Sequence, residues 1–273
     1  MNSRIHAVDV LRVGAGGRTR VADVAAVEEP LEIRLQGSPF IVTMRTPGAD
    51  RELAAGFLLS ERIITGPDDL GAMRHCTDED AGAEGNVLDV TLVGAARERA
   101  EAALAVRRPV TTTSACGVCG RRSIDDLVSG IRRIDADWPM SAAVVASLPG
   151  CLRAAQTVFD ETGGLHAAGL FDCNGVLVAV AEDVGRHNAV DKVIGSQLLA
   201  ERCPLGDRAL FVSGRTSFEI VQKAAAAGIP IVAAVSAPSS LAIDLARTAN
   251  VTLLGFVRGE TFNIYTGENR ILP

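Results

Sequence analysis

Apolar and polar residues follow a strand-like rhythm in the first part of the chain. They alternate in LEIRLQGSPFIVTMR (31–45) on both sides of a turn at 37–39, which predicts a β-hairpin, and NVLDVTLV (86–93) predicts a further strand. The intervening TPGADRELAAGFLLSERI (46–63) opens with turn residues and then spaces its apolar positions as a helix does. The Ala- and Arg-rich stretch 94–108 indicates a helix or a linker. We therefore predict a smaller, β-rich α+β domain over residues 1–108.

From residue 109 onward, apolar strand segments alternate with helical segments. The strand segments cover residues 163–172, 175–183, 208–214, 229–237, 251–259 and 261–267. Helices follow the second, third and fourth of these, and we predict that Thr216 and Glu219 form a capping box at the start of one helix. The alternation predicts an α/β domain over 109–273, in which helices cover both faces of a mixed sheet to give three layers.

Composition excludes several classes of protein. The 273 residues are 48% hydrophobic, enough for a sizeable core, and carry a net charge of −6. An acidic chain without a basic run is a poor match to nucleic acid or to an anionic membrane. No apolar run approaches the roughly 20 residues that span a bilayer, and the first residues lack the apolar core of a signal peptide. We therefore expect a cytoplasmic protein whose six cysteines stay reduced.

Two of these cysteines, Cys116 and Cys119, form a CxxC pair in the segment TTTSACGVCG. Such a pair can be half of a zinc site, a redox dithiol or a carrier of persulfide sulfur. A zinc site lacks its remaining ligands here, because the other cysteines, His166 and His187 are scattered singly. Two arginines and the start of a predicted helix follow the pair and favour the thiolate form, so we expect both thiols to be nucleophilic.

Three loops have the composition of anion-binding sites. EDVGRHN (182–188), SGRTS (213–217) and SAPSS (236–240) each follow a strand and precede a helix. In α/β sheets, ligands bind at the carboxyl ends of strands, and helix N-termini offer backbone N–H groups to phosphate. Ordinary helix capping explains any one of these loops, but the three together predict a phosphate-bearing ligand.

Several long segments together resemble one family. TTTSACGVCGRRSID, GGLHAAGLFD, EDVGRHNAVDKVIG, SGRTSFEIVQKAAAAGIPIVAAVSAPSSLAIDLA and GFVRGETFNIYTG are similar, in this order, to the FdhD family of sulfurtransferases needed for formate dehydrogenase activity. The resemblance implies a C-terminal domain similar to cytidine deaminase. The zinc chemistry of a deaminase is missing, because Ala168 stands where the catalytic His-x-Glu motif needs its glutamate.

The resemblance also implies a function. A cysteine desulfurase would load sulfur onto Cys116 as a persulfide, with Cys119 as the assisting thiol. The sulfur would pass to the molybdenum cofactor, in its bis(molybdopterin guanine dinucleotide) form, before a formate dehydrogenase receives it. We also expect a homodimer, and we expect no resident metal. The residues predicted to bind the cofactor are Ser213, Gly214, Arg215, Thr216, Phe256, Val257, Arg258, Gly259, Glu260 and Thr261.

Two other functions stay open from the residues alone. A dithiol oxidoreductase would use the CxxC pair with a partner reductase and would need no nucleotide. A zinc-stabilised binding module would hold a metal through the same thiols. Reaction with a persulfide donor separates the carrier from the oxidoreductase, and a metal assay identifies the zinc module.

Overall fold

The computed structural model describes residues 4–76, 85–106 and 132–273. Its helices are α1 (Asp50–Ser60), α2 (Ala95–Val106), α3 (Ala142–Ala154), α4 (Thr157–Thr162), α5 (Arg186–Leu199), α6 (Phe218–Ala226) and α7 (Ser240–Ala249). Its strands are β1 (Ile5–Gly14), β2 (Gly17–Ala26), β3 (Glu29–Leu35), β4 (Ser38–Arg45), β5 (Leu70–His75), β6 (Val87–Leu92), β7 (Met140–Ser141), β8 (His166–Phe171), β9 (Leu177–Asp183), β10 (Ala209–Val212), β11 (Ile231–Ala234), β12 (Thr252–Arg258), β13 (Thr261–Thr266) and β14 (Ile271–Leu272). Short 3-10 helices cover Pro67–Asp69 and Glu268–Arg270.

A six-stranded sheet forms the centre of the second part of the chain, in the order β13-β12-β11-β10-β8-β9. Strands β10, β11 and β12 are parallel, whereas β8 and β13 run antiparallel to their neighbours. Strand β9 is antiparallel to β8 and therefore points the same way as β10. As a result, the carboxyl ends of β9, β10, β11 and β12 meet at one edge, together with the first residue of β8.

Helices cover both faces of this sheet. Leu210 and Val212 of β10 join one hydrophobic core, and the alternate residues Ala209 and Phe211 join the other. The first core includes the inner faces of α5, α6 and α7, and the second includes that of α3. Strands buried on both faces consist of continuous apolar runs, as β10 does. The mixed α/β class predicted from the sequence is therefore confirmed.

A four-stranded sheet in the order β4-β3-β6-β5 holds most of the first part of the chain. Its buried residues, such as Ile33 and Leu88, belong to the same hydrophobic core as α1 and α5. The β3–β4 hairpin, helix α1 and strand β6 confirm the elements predicted there. The predicted domain boundary at residue 109 lies outside the described residues, and the division into two domains stays a prediction.

Two local features differ from the sequence analysis or add to it. Helix α6 begins after Ser217, and no side chain caps it, so the predicted Thr216–Glu219 capping box is wrong. Residues 5–26 form a two-stranded ribbon, β1–β2, that pairs with no other strand among the described residues. Among the residues that the structure describes, no helix is long and apolar enough to cross a membrane.

Candidate functional site

Two of the predicted anion-binding loops lie side by side at the carboxyl edge of the six-stranded sheet. Thr216, after β10, donates its N–H to the carbonyl oxygen of Ala237 at 3.3 Å, and its own carbonyl accepts from Ser239 N–H at 3.0 Å. Ser213 fixes the start of the first loop, because its Oγ accepts from the N–H of Ala167 in β8 at 2.8 Å. The two loops, residues 213–217 and 236–240, therefore form one hydrogen-bonded surface at the carboxyl ends of β10 and β11, which we call the shelf.

The second predicted segment, 256–261, is joined to this shelf. The N–H of Phe256 donates to the carbonyl oxygen of Ser236 at 3.2 Å, and Arg258 Nε donates to that of Val235 at 3.2 Å. Thr261 donates its Oγ to the carbonyl oxygen of Arg258 at 3.2 Å, which closes the turn. The structure thus brings residues 213–216 and 256–261 to the same edge of the sheet.

Phe256 has an unusual backbone for an aromatic residue. Its φ of 53° lies in the left-handed region, where bulky residues are rare and where strain often marks a functional position. The strain accompanies an irregularity in the β12–β13 pairing between Gly255 and Arg258. The residue is 38% exposed, and the Arg258 guanidinium carbon lies 5.8 Å from the centroid of its ring. Val257 is buried, so its side chain packs in the second core instead.

The third loop, between β9 and α5, is held by the buried carboxylate of Asp183. Its oxygens accept from Gly185 N–H at 2.7 Å and from Asn188 Nδ2 at 3.0 Å. They also accept from Thr46 N–H at 3.1 Å, and Lys192 Nζ lies 2.7 Å away. Asp183 therefore fixes the turn that carries Arg186 and His187 and ties it to the end of β4.

Arg186 and His166 come together beside the predicted residue Gly214. A Cβ atom at Gly214 would lie 3.4 Å from His166 Nδ1 and 3.7 Å from Arg186 Cδ, so both side chains lie within van der Waals distance of this position. Burial lowers the pKa of His166, and the nearby Arg186 cation lowers it further. Arg186 Nε is buried and has no hydrogen-bond partner among the described residues. An unused guanidinium donor at this edge suits an anionic ligand.

Sequence reasoning missed the contacts that His187 makes with Ser217 and Glu219. His187 Nε2 lies 3.1 Å from Ser217 Oγ and 3.0 Å from Glu219 Oε2. Ser217 is the N-cap residue of α6, and its hydroxyl contacts His187 in place of the helix backbone. The Thr216 hydroxyl of the predicted capping box is buried and has no hydrogen-bond partner among the described residues. The side chains of His187, Ser217 and Glu219 lie at the starts of α5 and α6, next to the shelf. The motif EDVGRHN contains His187 and was the available signal.

The CxxC residues Cys116 and Cys119 lie outside the described residues. Of the cysteines that are described, Cys203 is unsuited to nucleophilic chemistry, because burial raises its pKa to about 11. Cys151 and Cys173 are exposed thiols. Within residues 4–76, 85–106 and 132–273, no three His, Cys, Asp or Glu side chains are grouped as metal ligands would be. The expectation of no resident metal stays a prediction.

Comparison with known proteins points to one family. The model described as the FdhD/NarQ family matches residues 26–272. The chain is 53% identical over 264 residues to the sulfur carrier protein FdhD of Anaeromyxobacter sp. (strain K), covering 94% of this chain and 90% of the relative. It is 52% identical over 267 residues to the sulfur carrier protein FdhD of Nocardia farcinica (strain IFM 10152), covering 96% and 93%.

A solved structure has the same fold. The crystal structure of a formate dehydrogenase accessory protein from Desulfotalea psychrophila superposes with a TM-score of 0.76 and 26% sequence identity. The superposition covers 98% of this chain and 99% of that one. The likeness therefore extends over both sheets and is not confined to the edge that carries the shelf.

Proposed function

Since the chain belongs to the FdhD/NarQ family, we propose that it is a sulfur carrier that serves the maturation of a formate dehydrogenase. The observation that carries this proposal is the identity of about half of all residues, over nearly the whole chain, with relatives named as sulfur carriers. The structural neighbour is named a formate dehydrogenase accessory protein, which supports a formate dehydrogenase as the protein that this carrier serves.

We assign the carrier chemistry to the CxxC pair. The thiolate of Cys116 attacks the terminal sulfur of a persulfide on a cysteine desulfurase. An S–S bond forms at Cys116, the bond in the donor breaks, and the donor cysteine leaves as a thiolate. Cys119 can take over the terminal sulfur by the same exchange, which restores the thiolate of Cys116. Neither step needs an oxidant, and both need the reduced thiols of a compartment such as the cytoplasm, where we place the protein.

The cargo site proposed here is the carboxyl edge of the six-stranded sheet. The molybdenum cofactor in its bis(molybdopterin guanine dinucleotide) form is a substrate with anionic pyrophosphates. In the loop 213–216 the N–H groups of Ser213 and Thr216 already donate to Ala167 and Ala237, which leaves those of Gly214 and Arg215. Together with the exposed Arg258 and the unused donor of Arg186, they are suited to such groups. The cofactor would be held there while sulfur arrives from the CxxC pair. We retain the homodimer and the likeness to cytidine deaminase as parts of this proposal.

Mass spectrometry after incubation with a cysteine desulfurase and cysteine tests the carrier. We expect one added sulfur atom per chain in the wild type and in Cys173→Ala, a control that removes an exposed thiol. We expect none in Cys116→Ala. Equal loading of the Cys116→Ala variant would contradict the assignment. An intramolecular disulfide in place of the adduct would favour the oxidoreductase, and stoichiometric zinc would favour the binding module.

A further inference from the structure

The outer half of the β1–β2 ribbon, residues 11–20, projects into solvent. All of these residues are exposed, and no ribbon residue belongs to either hydrophobic core of the described structure. A pair of strands alone in water is at most marginally stable and needs packing against another element. The base of the ribbon has such packing, since β2 contacts α4 and a Cβ atom at Gly164 would lie 3.4 Å from that of Ala26. The outer half is therefore a free surface that needs a partner.

One face of this outer half combines apolar side chains with arginines. The strand register places Leu11 opposite Arg20 and Val13 opposite Arg18. Cross-strand partners, and residues two apart on a strand, lie on the same face of a sheet, so these four side chains are neighbours. Leu11 and Val13 are 51% and 70% exposed, and neither arginine has an ion-pair partner among the described residues. Apolar residues together with arginine are typical of protein interfaces.

The surface that complements this face lies around the base of the same ribbon. Residues 11–20 contain three arginines and no acidic residue, in a chain whose net charge is −6. Exposed carboxylates follow at the base, on the ribbon, directly after it and on α4: Asp9, Asp23, Glu28 and Glu161. The two ends of an extended ten-residue strand are about 30 Å apart, so a tip cannot fold back onto its own base. In a two-fold pair of molecules, however, the basic tip of each ribbon meets the acidic base of the other.

We propose that the ribbon is an arm that binds a second copy of this chain. The face with Leu11, Val13, Arg18 and Arg20 covers the acidic surface at the ribbon base of the second copy, and the contact is reciprocal. This inference rests on the homodimer of the proposed function and names the surface that holds the two copies together. The matching family model begins at residue 26, after the ribbon, which fits an element of assembly added to the carrier itself.

Sedimentation velocity over a series of concentrations measures this association. We expect a dimer for the wild type, weakened by salt because exposed charges are screened. Arg20→Glu should raise the dissociation constant at least about 10-fold, because it places like charges opposite each other. Arg12→Glu is the matched control, since it changes the net charge equally but lies on the opposite face of the ribbon, 3.9 Å from Asp23. This control should dimerise as the wild type does, and circular dichroism confirms that both variants are folded.

A charge swap tests where the arm binds. Adding Asp9→Lys to Arg20→Glu restores opposite charges between the two copies, and the double variant should recover much of the association. No recovery would overturn the ribbon base as the surface that the arm covers. Equal association of Arg20→Glu and Arg12→Glu would overturn the arm itself and leave the homodimer intact.

The wild type separates this inference from the proposed function. A wild type that stays monomeric at every concentration would overturn the arm and the homodimer together. Sulfur loading, measured by mass spectrometry as above, judges the carrier independently. A wild type that dimerises through the arm but takes up no sulfur would reject the carrier and leave the arm in place.

Discussion

Gly195 of α5 packs so closely on Glu52 of α1 that a Cβ atom at Gly195 would lie 1.8 Å from the Glu52 carbonyl oxygen. The reciprocal contact is nearly as close, since a Cβ atom at Gly56 would lie 2.0 Å from the Asp191 carbonyl oxygen. Both contacts involve backbone, which cannot rotate away as a side chain can. The crossing of α1 and α5 therefore fixes the N-terminal sheet against the helix whose first turn carries Arg186 and His187.

Gly195→Ala should consequently destabilise the protein. Overpacking of a tight core typically costs about 1–3 kcal/mol, and a clash with backbone lies at the upper end of that range. We expect a loss of about 3 kcal/mol in the free energy of unfolding, measured by denaturant titration. Gly150→Ala is the matched control, because Gly150 also lies in a helix but has no atom within 4 Å of an added Cβ. That control should be neutral or stabilising, and an equal loss in both variants would contradict the packing argument.

The strands were predictable from the sequence because the number of faces that a strand buries determines where its apolar residues stand. The alternating hairpin β3–β4 and the continuous apolar run of β10 each follow from the number of faces that the strand buries. Helix α3, which contains Pro149, was not predicted. Its buried face, formed by Val145, Leu148 and Leu152, packs in the second core, and tertiary packing outweighs the local cost of the proline.

The site was predictable only in part. The three loops follow from the rule that ligands bind at the carboxyl ends of strands, and the structure brings them to one edge. The contacts of His187 with Ser217 and Glu219 join two helices about 30 residues apart in the chain, a separation that no local pattern reports.

The buried ion pair between Lys223 and Asp191 gives a second prediction. Lys223 Nζ lies 2.8 Å from both carboxylate oxygens of Asp191, which also accepts from Ser60 Oγ at 3.2 Å. Lys223→Met would leave a buried carboxylate without its cation, and we expect a loss of about 3–5 kcal/mol in the free energy of unfolding. The double variant with Asp191→Leu should recover much of that loss. A double variant as unstable as the single one would contradict this account.

The same pair predicts a pH dependence. Burial raises the pKa of Asp191, and Lys223 opposes that rise. Without Lys223 the folded protein holds a proton on Asp191 that the unfolded chain releases above its ordinary pKa of about 4. Because the pKa of Asp191 is raised in the wild type as well, both proteins lose stability as the pH rises above about 4, and in the variant this loss continues to higher pH. The destabilisation by Lys223→Met should therefore grow once the pH passes the raised wild-type pKa of Asp191, and it should shrink as the pH falls. Denaturant unfolding of wild type and variant across this range measures the difference, and a constant difference would exclude Asp191 as its source.

His166 gives a prediction with the opposite sign. Burial, together with the nearby Arg186, lowers the pKa of His166 in the folded protein. As the pH falls, the unfolded chain takes up a proton on His166 near the ordinary pKa of about 6.5, whereas the folded protein takes it up only at a lower pH. His166 therefore contributes stability above about pH 6.5 that is lost as the pH falls through the folded pKa. His166→Gln, which has no titrating group, should lose less stability on acidification than the wild type, and identical pH profiles would refute this.

Arg258 gives the last prediction, on binding. Arg258 is exposed. Its Nε donates to the Val235 carbonyl oxygen, and this hydrogen bond holds the side chain at the edge of the sheet. A planar guanidinium can bind a phosphate through two hydrogen bonds, and we expect this charge-assisted interaction as a whole to contribute about 1.5–3 kcal/mol at an exposed site. Arg258→Ala should therefore weaken GDP binding roughly 10- to 100-fold in calorimetry. Arg247→Ala is the control, since Arg247 is equally an exposed arginine but lies in the last turn of α7. Equal affinities of the two variants would mean that Arg258 does not contact the phosphate, which would then be held by Arg186 and the backbone of the loop 213–216.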